Sequence, residues 1–502
     1  MNPFTPLFLL LGGSLASLLA DQLLERVGAA RWRGCLAACI LAAALMLFTW
    51  EAYLGVSVAE FRLIGPESPL TASLKLDYLS LYISIIFCGL GLAACIYSIK
   101  YLELESETGV DRYYLLLLTL IAGLVGVTLA DDFFTLYVFW ELMALSSYSL
   151  VAFRKWSWEA VEAGFKYLVM STMGSLAVLL GIAVLYGIAG SLRFDILAQS
   201  IPSGGPAALL ALALIIVGFG VTAAAVPFHS WLPDAHPAAP TPISAILSGI
   251  VIKAGAYAML WSLFKLFTPT VYGFGVVLIA FGILTMSFAN IVVVMQGDIK
   301  RFLAYSSIAN MGYIITGMGI AAYILRSYPS MVGAAALALT GALLHILNHA
   351  LGKGLSFLCA GCYILRQGSR EISELEGIGA EMPATTASFG IGLLNLAGVP
   401  PLSGFWSKFF IVSAGLGIPS DGLLLTTTLI FILNSVLAAG YYLWLLQRIA
   451  FKRRGEADPA AGEAPALMLA PVIALAAACI LITITISPVL EFIRAVLGVL
   501  LG

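Results

Sequence analysis

Long apolar stretches, separated by short polar segments, recur from one end of the chain to the other. A helix needs about 20 mostly apolar residues to cross a bilayer, and fourteen stretches come near that length. We number them as spans 1 to 14, and they cover residues 5–20, 34–54, 77–99, 113–130, 133–153, 161–189, 207–229, 242–262, 272–296, 302–322, 331–364, 386–410, 424–447 and 466–486. The pattern predicts an all-α integral membrane protein with about 14 transmembrane helices and no soluble domain.

Prolines interrupt two of these stretches. Span 7 runs into the proline-rich segment Val226–Pro242, and span 12 contains Gly398–Lys408. Irregular backbone at membrane depth is stable only where protein or a water-filled cavity covers it. Broken helices at matching points of two halves are typical of inverted repeats with an ion path at their interface. We therefore predict two inverted five-helix repeats, spans 4–8 and 9–13, with spans 7 and 12 broken.

The repeats divide the chain into four predicted segments. Residues 1–112 hold spans 1–3, residues 113–262 and 263–450 hold the two repeats, and residues 451–502 hold span 14 and a tail. The N-terminal residues lack the basic region of a signal peptide, so we expect the first helix to be retained. Lys and Arg concentrate in the loops after odd-numbered spans. Because cytoplasmic loops are rich in these residues, both termini are predicted outside the cytoplasm, with the chain in the cell membrane.

Composition supports this interpretation and excludes several functions. Of 502 residues, 61% are hydrophobic and 10% are charged, whereas soluble domains are about 25% charged. A net charge of -2 offers no basic surface for nucleic acid. Cys359 and Cys362 lack a second cysteine pair at metal-ligand spacing, so we interpret them as small residues at a helix contact. We expect no metal site and no bound cofactor.

Ionisable side chains of both signs lie inside the apolar spans. A charge at the bilayer centre costs about 3 kcal/mol on insertion scales, and such residues tend to mark ion or proton paths. Glu141, in the middle of span 5, is either locked in a structural ion pair or functional. Lys253 lies about halfway along span 8, too far from either interface to snorkel. These positions indicate that charge moves through the membrane.

Span 11 carries three polar residues at regular spacing. His345, His349 and Lys353 recur every four residues, next to Asn348, and this spacing places them on one stripe of a helix. A zinc site is disfavoured because no neighbouring Cys, Asp or Glu completes a tetrahedral set. Lys408 follows the second break, where freed carbonyls and water are expected. These residues predict a buried hydrophilic path.

Four further residues leave two interpretations open. Lys166, near the start of span 6, either snorkels to the interface or enters the path. His229, Asp234 and His236 flank the first break, where they either control ion access or cap freed backbone groups. The local pattern does not decide between these roles.

Five segments together resemble the antiporter-like proton-translocating membrane subunit family. They are Phe139–Met143, Pro227–Pro242, Gly297–Ser307, His345–Lys353 and Gly398–Lys408. That family includes the antiporter-like subunits of complex I, subunits of Mrp-type cation/proton antiporters and membrane subunits of energy-converting hydrogenases. The resemblance extends over roughly residues 76–451.

The resemblance implies roles for the candidate residues. Glu141 matches a glutamate that pairs with a lysine on the broken seventh helix, and Lys253 matches a lysine on the eighth helix of several members. The stripe on span 11 matches the central hydrophilic axis of the family. Lys408 matches a lysine or glutamate at the exit half-channel.

One position departs from the family pattern. The lysine of the seventh helix stands five residues before the first proline of the break, and here that position is Thr222. Either Lys253 or Lys166 replaces it as the partner of Glu141, or the first half-channel is inactive.

The sequence therefore predicts a subunit that moves protons, with Na⁺ left open, beside other membrane subunits. Any redox chemistry would belong to those partners, since no dinucleotide fingerprint, cluster ligands or haem motif occurs. The chain ends soon after span 14, which favours the shorter complex I members, the hydrogenase subunits or the mid-sized Mrp subunit. Two alternatives stay open: a stand-alone secondary transporter for Na⁺ or a small solute, and a structural subunit that has lost transport.

Overall fold

Helices form most of the structure, a computed structural model that describes residues 2–26, 32–55, 58–62, 72–105, 109–201, 205–452 and 462–501. The first half contains α1 (Thr5–Arg26), α2 (Arg33–Leu54), β1 (Ala59–Arg62), β2 (Ser73–Leu76), α3 (Tyr78–Leu104), α4 (Val110–Leu129), α5 (Phe133–Val151), α6 (Trp158–Ala189), α7 (Phe194–Ser200), α8 (Pro206–Thr222), α9 (Trp231–Ala238), α10 (Thr241–Ile246) and α11 (Ile252–Lys265). The second half contains α12 (Pro269–Tyr272), α13 (Gly275–Val293), α14 (Ile299–Ser327), α15 (Val332–Gln367), α16 (Pro383–Ala397), α17 (Ser403–Leu416), α18 (Gly422–Phe451), α19 (Ala466–Ile484) and α20 (Ile486–Leu501).

Eleven of the described helices are long and apolar enough to cross a membrane. One of them, Thr241–Lys265, joins α10 and α11 through a π-helical turn at Leu247–Val251. Shorter apolar helices at Thr5–Ala20 and Pro206–Thr222 coincide with spans 1 and 7. The mostly helical, membrane-spanning class predicted from the hydrophobic pattern is therefore present.

A short antiparallel hairpin adds to the predicted helices. Ala59 of β1 pairs with Leu76 of β2, and Arg62 pairs with Ser73. Asp132, the N-cap of α5, accepts hydrogen bonds from the backbone N and the Oγ of Ser73, both at 2.7 Å. One buried carboxylate thus caps a helix and fixes the hairpin beside it.

Both predicted interruptions are present. The chain leaves helical geometry between Thr222 and Trp231, and again between Ala397 and Ser403. Each gap contains a cis peptide bond, Val226–Pro227 in the first and Pro400–Pro401 in the second.

The chain divides into two compact units. The first unit comprises Met1–Ala223, Ile250–Tyr272 and Ala495–Gly502, and the second comprises Ala224–Gly249 and Gly273–Arg494. Within the first unit α4 packs on α5 and α6 packs on α8, and within the second α14 packs on α13 and α15. The two units are defined by which residues pack together. They do not test whether the chain contains an internal repeat, so the repeat boundaries stay a prediction.

Candidate functional site

The polar stripe of α15 lies in the interior of the second unit. His345, His349 and Lys353 have exposed fractions of 2%, 0% and 0%. The two imidazole rings stack at 6.2 Å between centroids with an interplanar angle of 9°. A helix of 36 residues therefore carries three buried ionisable side chains on consecutive turns.

Side chains of two other helices lie within hydrogen-bond distance of the two ring nitrogens of His345. Asn310 of α14 donates from Nδ2 to the Ser306 carbonyl at 2.7 Å and to the Tyr442 hydroxyl at 3.1 Å. Since a carbonyl oxygen only accepts, the amide oxygen of Asn310 must face His345 Nε2, at 3.0 Å. Nε2 of His345 therefore carries a hydrogen in every protonation state.

The second ring nitrogen of His345 faces a hydroxyl with two possible acceptors. Ser407 Oγ, on α17, lies 2.9 Å from Nδ1 of His345 and 2.8 Å from the Gly404 carbonyl. With neutral His345, Ser407 donates to Nδ1. When Nδ1 is protonated it donates to Ser407 Oγ, and the hydroxyl turns to Gly404. Rotation of one hydroxyl thus satisfies both protonation states.

Lys353 is held by neutral groups of α14. Its ammonium donates to the Leu303 carbonyl at 2.9 Å and to the Ser306 hydroxyl, and it lies 5.5 Å from the centre of the Tyr442 ring. No carboxylate of the described residues forms an ion pair with Lys353. Among the described residues, the groups around its ammonium are dipoles and a ring face.

Lys408 caps the helix that ends at the second break. Its Nζ donates to the carbonyls of Leu396 and Ala397 at 3.0 and 3.1 Å, in the last turn of α16. These are the carbonyls that a helix end leaves without intrahelical partners, where the helix dipole favours a cation. The ammonium also lies 4.9 Å from the centre of the Tyr313 ring, which meets His345 edge-on.

A second hydrogen-bond network, centred on Asn290, holds Tyr313 in place. Asn290 of α13 donates from Nδ2 to the Tyr313 hydroxyl at 3.1 Å and to Asn434 Oδ1 at 2.9 Å. The Tyr441 hydroxyl donates to Asn290 Oδ1 at 3.0 Å. The ring between Lys408 and His345 is therefore anchored by α13 and α18.

Amides and a glycine lock the second break against α15. Asn348 Nδ2 donates to the Ser403 carbonyl at 2.9 Å, and Ser403 Oγ donates to Asn348 Oδ1 at 2.7 Å. Gly404 N donates to Asn395 Oδ1 at 2.9 Å, and a Cβ on Gly404 would lie 1.8 Å from the Asn395 carbonyl oxygen. Only glycine permits this approach of α17 to α16.

At the first break, basic side chains donate hydrogen bonds to freed backbone carbonyls. Lys300, with an exposed fraction of 2%, donates from Nζ to the Ala239 carbonyl at 2.9 Å, at the end of α9. Arg370 donates to the Pro237 carbonyl at 2.8 Å, and Arg301 forms an ion pair with Asp234 at 3.0 Å. Each break in the second unit thus has a buried lysine on its freed carbonyls.

The two histidines of the first break contact aromatic rings. His236 is buried and stacks on Phe357 at 4.6 Å, while His229 is partly buried and meets Phe288 edge-on at 4.8 Å. Asp234 is held by Arg301. Lys300 and Arg370 thus donate to freed backbone carbonyls at this break. For His229, Asp234 and His236, ion access and backbone capping both stay predictions.

Glu141 lies on α5 in the first unit. Its Oε1 is buried and has no hydrogen-bond partner among the residues that the structure describes. Tyr137 lies one turn earlier on the same face of α5. The neighbouring Trp140 ring packs against Phe219 of α8 at 4.9 Å.

The other predicted residues of the first unit occupy two places. Lys166 lies on an exposed face of α6, in an ion pair with Glu162 at 2.9 Å. Thr222 ends α8, and a Cβ on Gly255 of α11 would lie 2.5 Å from the backbone N of Ala223. The position that carries lysine in the family thus packs beside the turn of α11 that holds the fully buried Lys253.

Sequence reasoning missed several polar members of the second unit. Lys300 lies between the predicted spans 9 and 10, whereas in the structure it is in the first turn of α14, two residues after the helix cap Asp298. Asn310, Ser306 and Asn395 were missed because their partners are remote in sequence. The sequence signal that could have identified them is an amide or hydroxyl residue on the same face of an apolar helix as other polar residues.

No group of three or more metal-ligating side chains occurs within the described parts of the chain. What the site offers is titratable groups linked by hydroxyls, amides and backbone carbonyls. Such an arrangement can bind and release protons.

A family profile described as NADH:quinone oxidoreductase/Mrp antiporter, transmembrane, matches residues 130–433. The chain belongs to this family. A second profile, for the N-terminus of complex I chain 5, matches residues 66–114. Together with the apolar helices, this membership makes the chain an integral, multi-pass membrane protein of the antiporter-like family.

Relatives of this antiporter-like chain come from different complexes. It is 33% identical over 486 residues to NADH-quinone oxidoreductase subunit N of Desulforudis audaxviator, with 91% of each chain covered. It is 32% identical over 340 residues to hydrogenase-4 component B of Escherichia coli, covering 67% of this chain and 50% of that protein. A chain of the archaeal membrane-bound sulfane sulfur reductase matches with a TM-score of 0.85 and 27% identity, covering 99% of this chain and 98% of that one.

Proposed function

We propose that this chain is a proton-translocating membrane subunit of a larger complex, either redox-driven or of the Mrp cation/proton antiporter type. The observation that carries the proposal is the set of buried groups in the second unit. Lys353, His345 and Lys408 are each surrounded by hydrogen-bonding groups that require no carboxylate of the described residues. Buried ionisable residues of this kind mark proton relays in membrane proteins.

The geometry of His345 supports a relay more strongly than simple burial does. A structural histidine needs hydrogen bonds for only one protonation state, whereas the Ser407 hydroxyl serves both. Lysine amines also donate hydrogens in both states, so Lys353 and Lys408 keep their carbonyl partners after losing a proton. Water must bridge any gap between these groups, as general acid–base transfer requires direct or one-water contact.

We further propose fourteen membrane crossings, arranged as two inverted five-helix repeats within residues 113–262 and 263–450. Eleven helices qualify by length and apolar composition. The two shorter apolar helices and the broken pair α16–α17 supply the remaining three crossings. Both termini would lie outside the cytoplasm in the cell membrane, as the distribution of Lys and Arg predicts.

The partners proposed are other membrane subunits, because the relatives are named as components of respiratory and hydrogenase assemblies. Redox chemistry would take place on those partners. Protons are the transported ions in this proposal, and Na⁺ is the alternative.

For the first unit, the contacts favour a second candidate function, which is a structural role without proton transport. Glu141 Oε1 has no hydrogen-bond partner among the described residues, and Lys166 is paired with Glu162. Lys253 is then the remaining candidate for pairing with Glu141. If that pairing does not operate, the first unit is structural and transport belongs to the second.

Proton flux into proteoliposomes containing the purified native complex tests the proposal. We expect Lys353→Met to lower flux about tenfold or more, since the long apolar chain fills the space without binding a proton. Glu141→Gln should cause a similar loss if the first unit transports, because an amide cannot exchange a proton as a carboxylate does.

The outcomes separate the candidates. Wild-type flux in both variants, with normal assembly, contradicts proton translocation by this chain. Loss in Lys353→Met alone assigns transport to the second unit. Ion flux through the chain purified without partners would instead favour a stand-alone transporter.

A further inference from the structure

A polar cavity of about 410 Å³ lies within the first unit, away from the candidate residues above. The hairpin β1–β2, the turn between α4 and α5, α7 and the end of α11 contribute to its walls. Its loops follow even-numbered spans, so the distribution of Lys and Arg predicts that it faces the non-cytoplasmic side.

Most charged groups in this cavity already have local partners. Arg193 pairs with Asp195 at 2.5 Å, and Arg62 pairs with Glu60 at 3.0 Å. Asp77 accepts from Ser80 N at 2.8 Å as the N-cap of α3. These pairs stabilise the walls of the cavity.

Asp131 is the one lining carboxylate without such a partner among the described residues. It lies between α4 and α5, is only partly buried, and its carboxylate has no hydrogen-bond or ion-pair partner among the described residues. Its backbone N donates to the Ser73 carbonyl at 3.0 Å, which fixes the residue beside the hairpin. A carboxylate held in place but left open to a cavity is available to exchange a proton.

The surroundings of Asp131 place its titration near neutral pH. Burial raises the pKa of Asp131 to about 6, Lys75 opposes the rise, and Glu60, Asp195 and Asp132 add to it. Arg62, Arg193, Asp77 and Lys265 are the other charged groups that line the cavity. The carboxyl is therefore mostly protonated below about pH 6 and mostly ionised above it.

One face of α11 leads from this cavity toward Lys253. Tyr257 lines the cavity, and its hydroxyl donates to the Thr128 carbonyl at 2.7 Å. Lys253 stands four residues earlier on α11, so the two side chains share a helix face. Thr128 Oγ1 and Ser84 Oγ, 2.7 Å apart, add hydroxyls beside this face.

We propose that this cavity is a water-filled mouth through which the first unit exchanges protons with the aqueous phase, and that Asp131 is the group that binds and releases them. A proton passes from water to a carboxylate oxygen of Asp131, and leaves either to water or along α11 toward the Lys253 amine. No electrons are exchanged. The inference rests on the proposed function and deepens it by naming where protons of the first unit are exchanged.

The first test measures proton flux against pH in proteoliposomes of the native complex. We expect Asp131→Asn to lower flux about tenfold and to remove an inflection near pH 6, since the amide does not titrate. Asp131→Glu should keep the inflection. Asp111→Asn, in the first turn of the same α4, is the matched control and should behave as wild type.

The second test measures access to the cavity and does not depend on transport. In a Cys39→Ser background, which removes the exposed native cysteine, Asp131→Cys should react with a membrane-impermeant thiol reagent from one side only. Ile121→Cys, at a fully buried position of α4, should not react.

The outcomes distinguish this inference from the proposed function. If Lys353→Met loses flux while Asp131→Asn keeps both its flux and its inflection, the inference is overturned and the function stands. Absence of labelling at position 131 in an assembled complex also overturns it. If Asp131→Asn does not assemble, the pH profile of Asp131→Glu and the labelling decide. Unchanged flux in Lys353→Met as well would refute the function itself.

Discussion

The buried lysines of the second unit and Glu141 of the first unit differ in their hydrogen bonding. In the second unit, Lys300, Lys353 and Lys408 all donate to backbone carbonyls, and His345 has a partner at each ring nitrogen. In the first unit, Glu141 has an oxygen with no hydrogen-bond partner among the described residues. The contrast does not extend to every group, since His229 Nδ1 in the second unit is also buried without a hydrogen-bond partner among the described residues. Leaving a buried polar atom unsatisfied costs about 1–3 kcal/mol.

The difference shows how a membrane protein accommodates charge without paired carboxylates. The breaks in α8–α10 and α16–α17 free backbone carbonyls, and lysines occupy them. A break therefore supplies part of the binding site for the cation beside it. The first unit, with Thr222 in place of the family lysine, has no cation at the corresponding point of α8.

The largest effect is expected from a substitution that disturbs the packing at the second helix interruption. Gly404→Ala would place a Cβ 1.8 Å from the Asn395 carbonyl oxygen, and we expect destabilisation of about 3 kcal/mol or more. The amount of assembled, detergent-purified complex measures the effect. Gly440→Ala on α18, where no atom lies within 4 Å, is the control and should assemble normally.

Removal of the capping cation should have the next largest effect. Lys408→Met leaves the carbonyls of Leu396 and Ala397 without their donor and removes a titratable group, so we expect flux to fall about tenfold or more. Proton flux per assembled complex is the measurement. Normal flux in this variant would mean that Lys408 is only a structural cap.

A smaller effect is expected from the hydroxyl that serves both states of His345. Ser407→Ala should lower flux about threefold to tenfold, because neutral His345 loses its donor at Nδ1, worth roughly 1 kcal/mol. Ser356→Ala on α15 is a matched control, since that buried hydroxyl donates only to the Gly352 carbonyl of its own helix. Equal flux in the two variants would contradict the hydroxyl rotation.

Thr222→Lys tests whether the first unit transports protons, and we expect it to change flux least of these variants. If Lys253 pairs with Glu141, a second cation near it should lower flux about twofold, because like charges disfavour each other's ionised forms. If the first unit is merely impaired, the restored lysine should raise flux. The same measurement in Lys253→Ala, alone and combined with Thr222→Lys, decides between them.

The sequence predicted what depends on local pattern. Apolar length located the spanning helices, prolines located both breaks, and a four-residue spacing placed His345, His349 and Lys353 on one helix. Freed carbonyls were expected near Lys408, and its Nζ donates to those of Leu396 and Ala397. Their roles in transport stay predictions.

What depends on contacts between distant residues could not be predicted. Asn310 meets His345 across 35 residues, and Asn290 meets Asn434 across 144. The hairpin was missed because each strand has only four residues, too few to show an alternating pattern. Asp131 resembled any loop carboxylate until the folded walls around it were known.

The absence of a carboxylate partner for Lys353 and Lys408 among the described residues has an electrical consequence. When either amine takes up a proton, the region gains a full positive charge and no neighbouring pair is neutralised. A charge that crosses the whole membrane potential changes in energy by about 2.3 kcal/mol per 100 mV. The occupancy of these two groups should therefore follow the voltage across the bilayer, in proportion to the depth at which each one lies.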